Sequence, residues 1–114
     1  MSERKYKFFL NDILKEIKNI EKFTSNIENL NDLEENELVL YAVLKALENI
    51  GEAVKHIPED IKLKYPYHWK EISGLRNIIV HNYWGIDIEI IYDILENEIK
   101  DLKNFVEKIL ENEK

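Results

Sequence analysis

The chain has 114 residues, and its 16 basic and 23 acidic side chains give a formal net charge of −7. This length fits a single domain, and because Cys is absent there is neither a disulfide framework nor a thiolate metal site. No apolar run approaches the roughly 18 residues of a membrane-spanning helix. Residues 1–5 are not followed by the apolar stretch of a secretory signal. We therefore expect a cytoplasmic protein that does not associate with a membrane.

Positive charge is concentrated in residues 55–81. This segment contains five basic and three acidic side chains, a net charge of +2, and it leaves 11 basic and 20 acidic side chains for the rest of the chain. All three His also lie in it: His56, His68 and His81. Nucleic-acid binders usually carry a basic patch. We therefore expect any contact with RNA to be confined to this segment.

Apolar residues spaced three and four apart predict a first helix over residues 4–24 and a second over residues 32–57. The apolar stripe of the first helix comprises Tyr6, Phe9, Ile13, Ile17, Ile20 and Phe23. Asp32 is expected to cap the second helix, since Glu35 follows three residues later as in a capping box. Pro58 ends that helix because proline cannot supply the helical hydrogen bond.

The second half of the chain predicts a short helical turn over residues 59–65, a third helix over 67–83 and a last helix over 87–111. Gly85 suits the end of the third helix, and Asp87 suits the start of the last one. No segment alternates with the period of two that is typical of strands. The predicted fold is therefore all-α, an antiparallel four-helix bundle with a short extra helical turn, forming one domain over the whole chain.

Arg76, His81 and Tyr83 form an R-x4-H-x-Y pattern in the third predicted helix. A guanidinium is permanently charged and matches the geometry of a phosphate. An imidazole gains and loses a proton near neutral pH. Together these two groups are the minimum needed to cut a phosphodiester without a metal ion, although the spacing alone also arises by chance.

Each residue of this pattern has a structural interpretation as well. Arg76 lies about 40° from Ile72 on the apolar face of the helix, so it could extend to the edge of the core or pair with a carboxylate. His81 could be a solvent-facing residue at a helix end, and Tyr83 could form a hydrogen bond at the edge of the core. Arg76 and His81 are about 140° apart on an ideal helix. They would meet only if the helix unwinds near Asn82 or if two subunits share the site.

Asn77 is four residues before His81 and shares a helical face with it, so we expect Asn77 to orient the imidazole. The nearby C-terminus of the helix favours the protonated imidazole. A protonated His81 would suit proton donation to a leaving oxygen.

Glu48 and Glu52 lie four residues apart on the polar side of the second predicted helix, opposite its apolar stripe. One interpretation is a solvated face on which Lys45, Lys55 and His56 neutralise these carboxylates. The other is a dimer interface that also holds Arg76. The three His share no helical register, so the sequence contains no credible metal-binding motif.

Four segments of the sequence resemble the HepT family of HEPN (higher eukaryotes and prokaryotes nucleotide-binding) domains. They are residues 47–53 (LENIGEA), Trp69, residues 74–83 (GLRNIIVHNY) and residues 85–87 (GID). The resemblance extends from about Tyr41 to the C-terminus, and the order of helices fits the whole chain.

This resemblance implies a ribonuclease toxin of a type VII-like toxin–antitoxin pair. By the family's pattern Arg76 and His81 are the catalytic residues of a metal-independent site, and Asn77 supports them. Tyr83 matches the residue that a minimal nucleotidyltransferase antitoxin modifies with AMP. The resemblance further implies a homodimer that pairs its motifs across the interface, RNA as substrate and no cofactor. Lys45 departs from the family, which favours Arg at that position.

A second function also fits the sequence. The chain could be a non-catalytic helical module that binds a nucleotidyltransferase and presents nucleotide or substrate to it. The acidic net charge favours this module, whereas the presence of Arg76, His81 and Tyr83 favours the ribonuclease.

Overall fold

The computed structural model describes residues 5–81 and 85–114, and this part of the chain contains helices and no strand. The predicted all-α helical bundle is therefore confirmed. None of the described helices is long and apolar enough to span a membrane. The helices are α1 (Lys5–Phe23), α2 (Leu30–Glu35), α3 (Glu37–Lys55), α4 (Glu59–Lys64), α5 (Trp69–His81), α6 (Ile88–Asp93) and α7 (Ile99–Asn112), with a π-helical turn (Ile94–Glu98) between α6 and α7.

The core forms where the apolar faces of the long helices meet. Helix α3 packs against both α1 and α5, and α7 packs against α1. The large side chains with the least exposure come from α1, α2, α3 and α7, as the periodicity of the sequence predicts. They are Leu10, Ile13, Ile17, Leu33, Val43, Leu47, Ile50, Val54, Val106 and Ile109.

The single helix predicted over residues 32–57 is wrong, because two helices occupy this region. Asn29 caps α2, and its side chain accepts a hydrogen bond from the backbone N–H of Asp32 at 2.9 Å. Asn36 caps α3 by accepting from the N–H of Val39 at 3.0 Å. An Asn side chain competes with the helix for backbone N–H groups, so Asn36 ends one helix and starts the next.

The last predicted helix begins as expected, since Asp87 caps α6 by accepting from the N–H of Glu89 at 2.9 Å. Its continuity is interrupted by the π-helical turn, in which the N–H of Ile99 bonds to the carbonyl of Ile94. Residues five apart share a face in a π turn. Ile94 and Ile99 are consequently both buried, and the apolar face of α7 stays directed at the core.

Helix α4 confirms the predicted short helical turn, and Glu113 anchors it to the rest of the bundle. The Glu113 carboxylate accepts from Lys64 Nζ at 2.7 Å, from the Tyr65 hydroxyl at 2.7 Å and from the Tyr6 hydroxyl at 3.4 Å. The hydrogen bond from Lys64, followed by that from Tyr65, lowers the pKa of Glu113. The charged carboxylate thus ties α4 and the start of α1 to the end of α7.

Candidate active site

Helices α3 and α5 approach closely where Gly51 faces Arg76. A Cβ added to the buried Gly51 would lie 2.9 Å from the backbone nitrogen of Arg76 and 3.0 Å from the carbonyl oxygen of Ile72. Real side chains do not tolerate such short distances to backbone atoms. The missing side chain of Gly51 therefore sets the separation of the two helices and fixes the backbone from which the guanidinium extends.

The Arg76 side chain reaches the edge of this contact, where 38% of its surface is exposed. Its Nε lies 3.7 Å from Glu52 Oε1, and one terminal nitrogen donates to Asn77 Oδ1 at 3.1 Å. Arg76 thus lies at the edge of the core and pairs with a carboxylate, as its position on the helix predicted. A part-exposed ion pair contributes only about 0–1 kcal/mol. An incoming phosphate can therefore compete with Glu52 for the guanidinium.

Glu52 links Arg76 to the polar face of α3. Its Oε2 lies 3.6 Å from His56 Nε2, and its Oε1 lies 3.8 Å from Lys55 Nζ. Glu48, one turn earlier, pairs with Lys45 at 3.5 Å. The solvated, salt-bridged face predicted from the sequence is thus present. Glu52 on this face also contacts Arg76. The alternative interpretation, a dimer interface that also holds Arg76, requires the same contact.

His81 is the last residue of α5 and is exposed to solvent. The helix is continuous from Trp69 to His81, so it does not unwind before the imidazole. At about 100° per residue, Arg76 and His81 point to sides of α5 roughly 140° apart. The structure therefore keeps the wide angle between Arg76 and His81 that opposes a site within one subunit.

Asn77 contacts the cation of the candidate site, since its side-chain oxygen accepts from Arg76. Within residues 5–81 and 85–114 no hydrogen bond joins Asn77 to His81. Asn77 therefore contacts Arg76 and not His81, the residue that we expected it to orient. Tyr83 and Asn82 lie outside the described residues. The AMP-acceptor assignment of Tyr83 and the helix end expected near Asn82 therefore remain predictions.

The other two His have partners of their own. His56 stacks on Phe9, with ring centres 4.5 Å apart, and pairs with Glu52. His68 stacks on Tyr67 at 4.1 Å and lies 3.9 Å from Glu98. In the part of the chain that the structure describes, no three His, Cys, Asp or Glu side chains are grouped so that they could hold a metal ion.

Replacement of Gly51 by Ala tests the close approach of α3 and α5. We expect the free energy of unfolding to fall by up to about 2 kcal/mol, because an overpacking cost of about 1–3 kcal/mol opposes a helix-propensity gain of about 1 kcal/mol. Gly74 is the matched control, since a Cβ added there meets nothing within 4 Å. Gly74→Ala should stabilise α5 by up to about 1 kcal/mol. Urea denaturation that finds the two variants equally stable would contradict this role of Gly51.

A sequence profile described as “HepT-like: Ribonuclease HepT-like” matches residues 13–109 of this chain. The chain is 42% identical to “Putative RNase MJ1380” of Methanocaldococcus jannaschii, over 94% of this chain and 98% of that protein. It is 41% identical to “Putative RNase MJ1216” of the same organism, over 98% and 93% of the two chains. “Probable ribonuclease HepT” of Thermococcus cleftensis is 36% identical, over 94% and 97%. No solved structure matches the chain.

Proposed function

Because this chain is a ribonuclease of the HepT-like family, we propose that it is the toxin component of a type VII-like toxin–antitoxin pair and cuts RNA without a metal ion. One observation carries the proposal. The Arg76 guanidinium is partly exposed beside the α3–α5 contact, where, among the described residues, a 3.7 Å ion pair to Glu52 and a hydrogen bond to Asn77 hold it. A cation in this position suits a phosphate as a ligand.

In the proposed reaction the 2′-oxygen of a ribose attacks the adjacent phosphorus and the bond to the 5′-oxygen breaks. His81 carries the proton from the attacking 2′-oxygen to the leaving 5′-oxygen. Arg76 stabilises the negative charge that develops on the phosphate oxygens. The products are a 2′,3′-cyclic phosphate and a free 5′-hydroxyl, and no water is consumed in this step.

The proposed active form is a homodimer that combines Arg76 of one subunit with His81 of the other. Support comes from the regular geometry of α5, which directs these two side chains about 140° apart within one subunit. A two-fold pairing of subunits would form two equivalent sites, each with Arg76 from one subunit and His81 from the other. Such pairing is isologous, as in most homodimers.

Cleavage should persist in EDTA, because the proposed mechanism assigns both proton transfer and charge stabilisation to side chains. A labelled single-stranded RNA incubated with the protein and EDTA should yield fragments that end in a cyclic phosphate. Loss of cleavage in EDTA, with recovery on addition of a divalent cation, would contradict the mechanism. A protein that binds RNA but never cuts it would favour the non-catalytic module instead.

We further propose that Tyr83 accepts AMP from a minimal nucleotidyltransferase antitoxin. An added phosphate near Arg76 would compete with RNA through both charge and bulk. The variant Tyr83→Phe should retain most cleavage, because the aromatic ring remains, and should escape neutralisation by antitoxin and ATP. Mass spectrometry provides the readout. An adduct on another residue, or an undiminished adduct in Tyr83→Phe, would rule out this assignment.

A further inference from the structure

A cleft of about 460 Å³ opens between α4 and the first turns of α5. Helix α4 contributes Lys62 and Leu63 to its lining, α5 contributes Lys70 and Ser73, and Pro66 lies between the two helices. The Glu113 anchor on Lys64 and Tyr65 holds α4 in place, so the cleft has a defined shape without a ligand.

The charge of this cleft is opposite to that of the protein as a whole. Lys62 and Lys70 outnumber the one carboxylate in the lining, Glu59, whereas the chain carries a net charge of −7. Within the described residues neither ammonium lies within 4 Å of a carboxylate. The neighbouring Lys64, by contrast, pairs with Glu113 at 2.7 Å. Two unpaired cations on either side of a cleft are suited to an anionic ligand.

One wall of the cleft is apolar and open to solvent. Leu63 is 72% exposed, and Pro66 is exposed beside it. Grooves that bind single-stranded nucleic acid combine cations along the backbone with aromatic surfaces on which the bases stack. In this cleft the exposed Leu63 and Pro66 offer an apolar surface instead. A duplex would keep its bases stacked inside, where they could not reach this wall.

The cleft shares a side of α5 with Asn77 and His81 of the candidate active site. At about 100° per residue, Lys70, Ser73, Asn77 and His81 fall within an arc of roughly 80°. Lys70 and His81 are eleven residues apart in one helix, which corresponds to roughly 16 Å along its axis. A strand lying along this side of α5 would therefore run from the cleft to the imidazole.

We propose that the α4–α5 cleft is the RNA-backbone subsite of this protein and that it selects single-stranded RNA, with Lys62 and Lys70 on phosphates and Leu63 against an unstacked base. This proposal rests on the proposed ribonuclease function and extends it to the class of substrate. It also explains how an acidic protein holds RNA, because attraction is confined to one short path beside the cutting residues.

The test measures binding of a short, fluorescently labelled single-stranded RNA by anisotropy over a series of salt concentrations. Every protein carries His81→Ala, so that the RNA stays intact. Each phosphate contact to a single strand contributes roughly 0.7 to the slope of log affinity against log salt. The variant Lys62→Gln with Lys70→Gln should therefore reduce the magnitude of the slope by roughly 1.4, with an affinity loss of tenfold or more at low salt.

The matched control is Lys18→Gln with Lys108→Gln, which removes the same charge from exposed positions on α1 and α7. Its slope should equal that of the parent. Leu63→Ser should weaken binding without changing the slope, and duplex RNA should compete poorly. If the cleft variant and the control have the same slope while the unmodified protein cuts RNA, the cleft proposal fails and the ribonuclease proposal stands. If the unmodified protein neither binds nor cuts RNA, both fail.

Discussion

Replacing His81 with Ala should lower the rate of RNA cleavage by about 10²–10⁴-fold, the usual contribution of a positioned proton-transfer group. The fold should be unaffected, since His81 is the exposed last residue of α5 and contributes little to the core. Single-turnover cleavage of a labelled RNA, with circular dichroism as a check on helical content, measures both effects. In cells the same variant should lose the toxicity that the proposed toxin function predicts for the parent.

His68→Ala is the control for this experiment. His68 is also exposed, but it precedes the first residue of α5, stacks on Tyr67 and lies near Glu98. Its replacement should leave cleavage near the parental rate. Equal activity of His81→Ala and the parent would remove His81 from the mechanism.

Replacing Arg76 with Ala should reduce cleavage by about 10²–10³-fold, as expected when a group that stabilises transition-state charge is removed. Arg76→Lys should recover little of this loss, because an ammonium is a point charge and does not reproduce the planar fork of donors. The stability cost should be small, since the ion pair to Glu52 is part-exposed and contributes about 0–1 kcal/mol.

A substitution of Glu52, the ion-pair partner of Arg76, separates a catalytic role of Arg76 from a structural one. Glu52→Gln removes the carboxylate partner of Arg76 and keeps the shape of the side chain. It should retain cleavage within a few-fold of the parent, because the phosphate supplies the charge that the guanidinium needs. If Arg76→Ala and Arg76→Lys both unfold the protein, or if Arg76→Lys cleaves like the parent, the proposed role of Arg76 is wrong.

Local sequence patterns predicted the helices whose apolar residues follow a regular period. Helix α1 and the long helix α3 bury most of the stripe that spacing indicated, and Pro58 ends α3 as expected. The break at Asn36 was missed because Leu33 and Leu40, apolar residues on either side of it, are seven residues apart, which is two turns of a helix. The capping bond of Asn36 overrides that continuity. The π turn was missed because Ile94 and Ile99 are five residues apart, a step outside the three- and four-residue spacing of an α-helical stripe.

The residue types of the candidate site could be predicted, but their neighbours could not. The position of Arg76 on an apolar face already indicated that it would need a partner. Two further facts depend on which helices pack together: Gly51 permits the approach of α3 to Arg76, and α4 brings Lys62 to the same cleft as Lys70. Such contacts link distant parts of the chain, so no local pattern specifies them.

The central claim is that one intact site combines Arg76 and His81 from two subunits. The direct measurement co-expresses Arg76→Ala and His81→Ala chains with different affinity tags and purifies the mixed dimer through both tags. Each variant alone should be inactive. The mixed dimer should regain about half of the parental cleavage, because one of its two shared sites contains both an intact Arg76 and an intact His81. A mixed dimer as inactive as its parents would contradict the shared site.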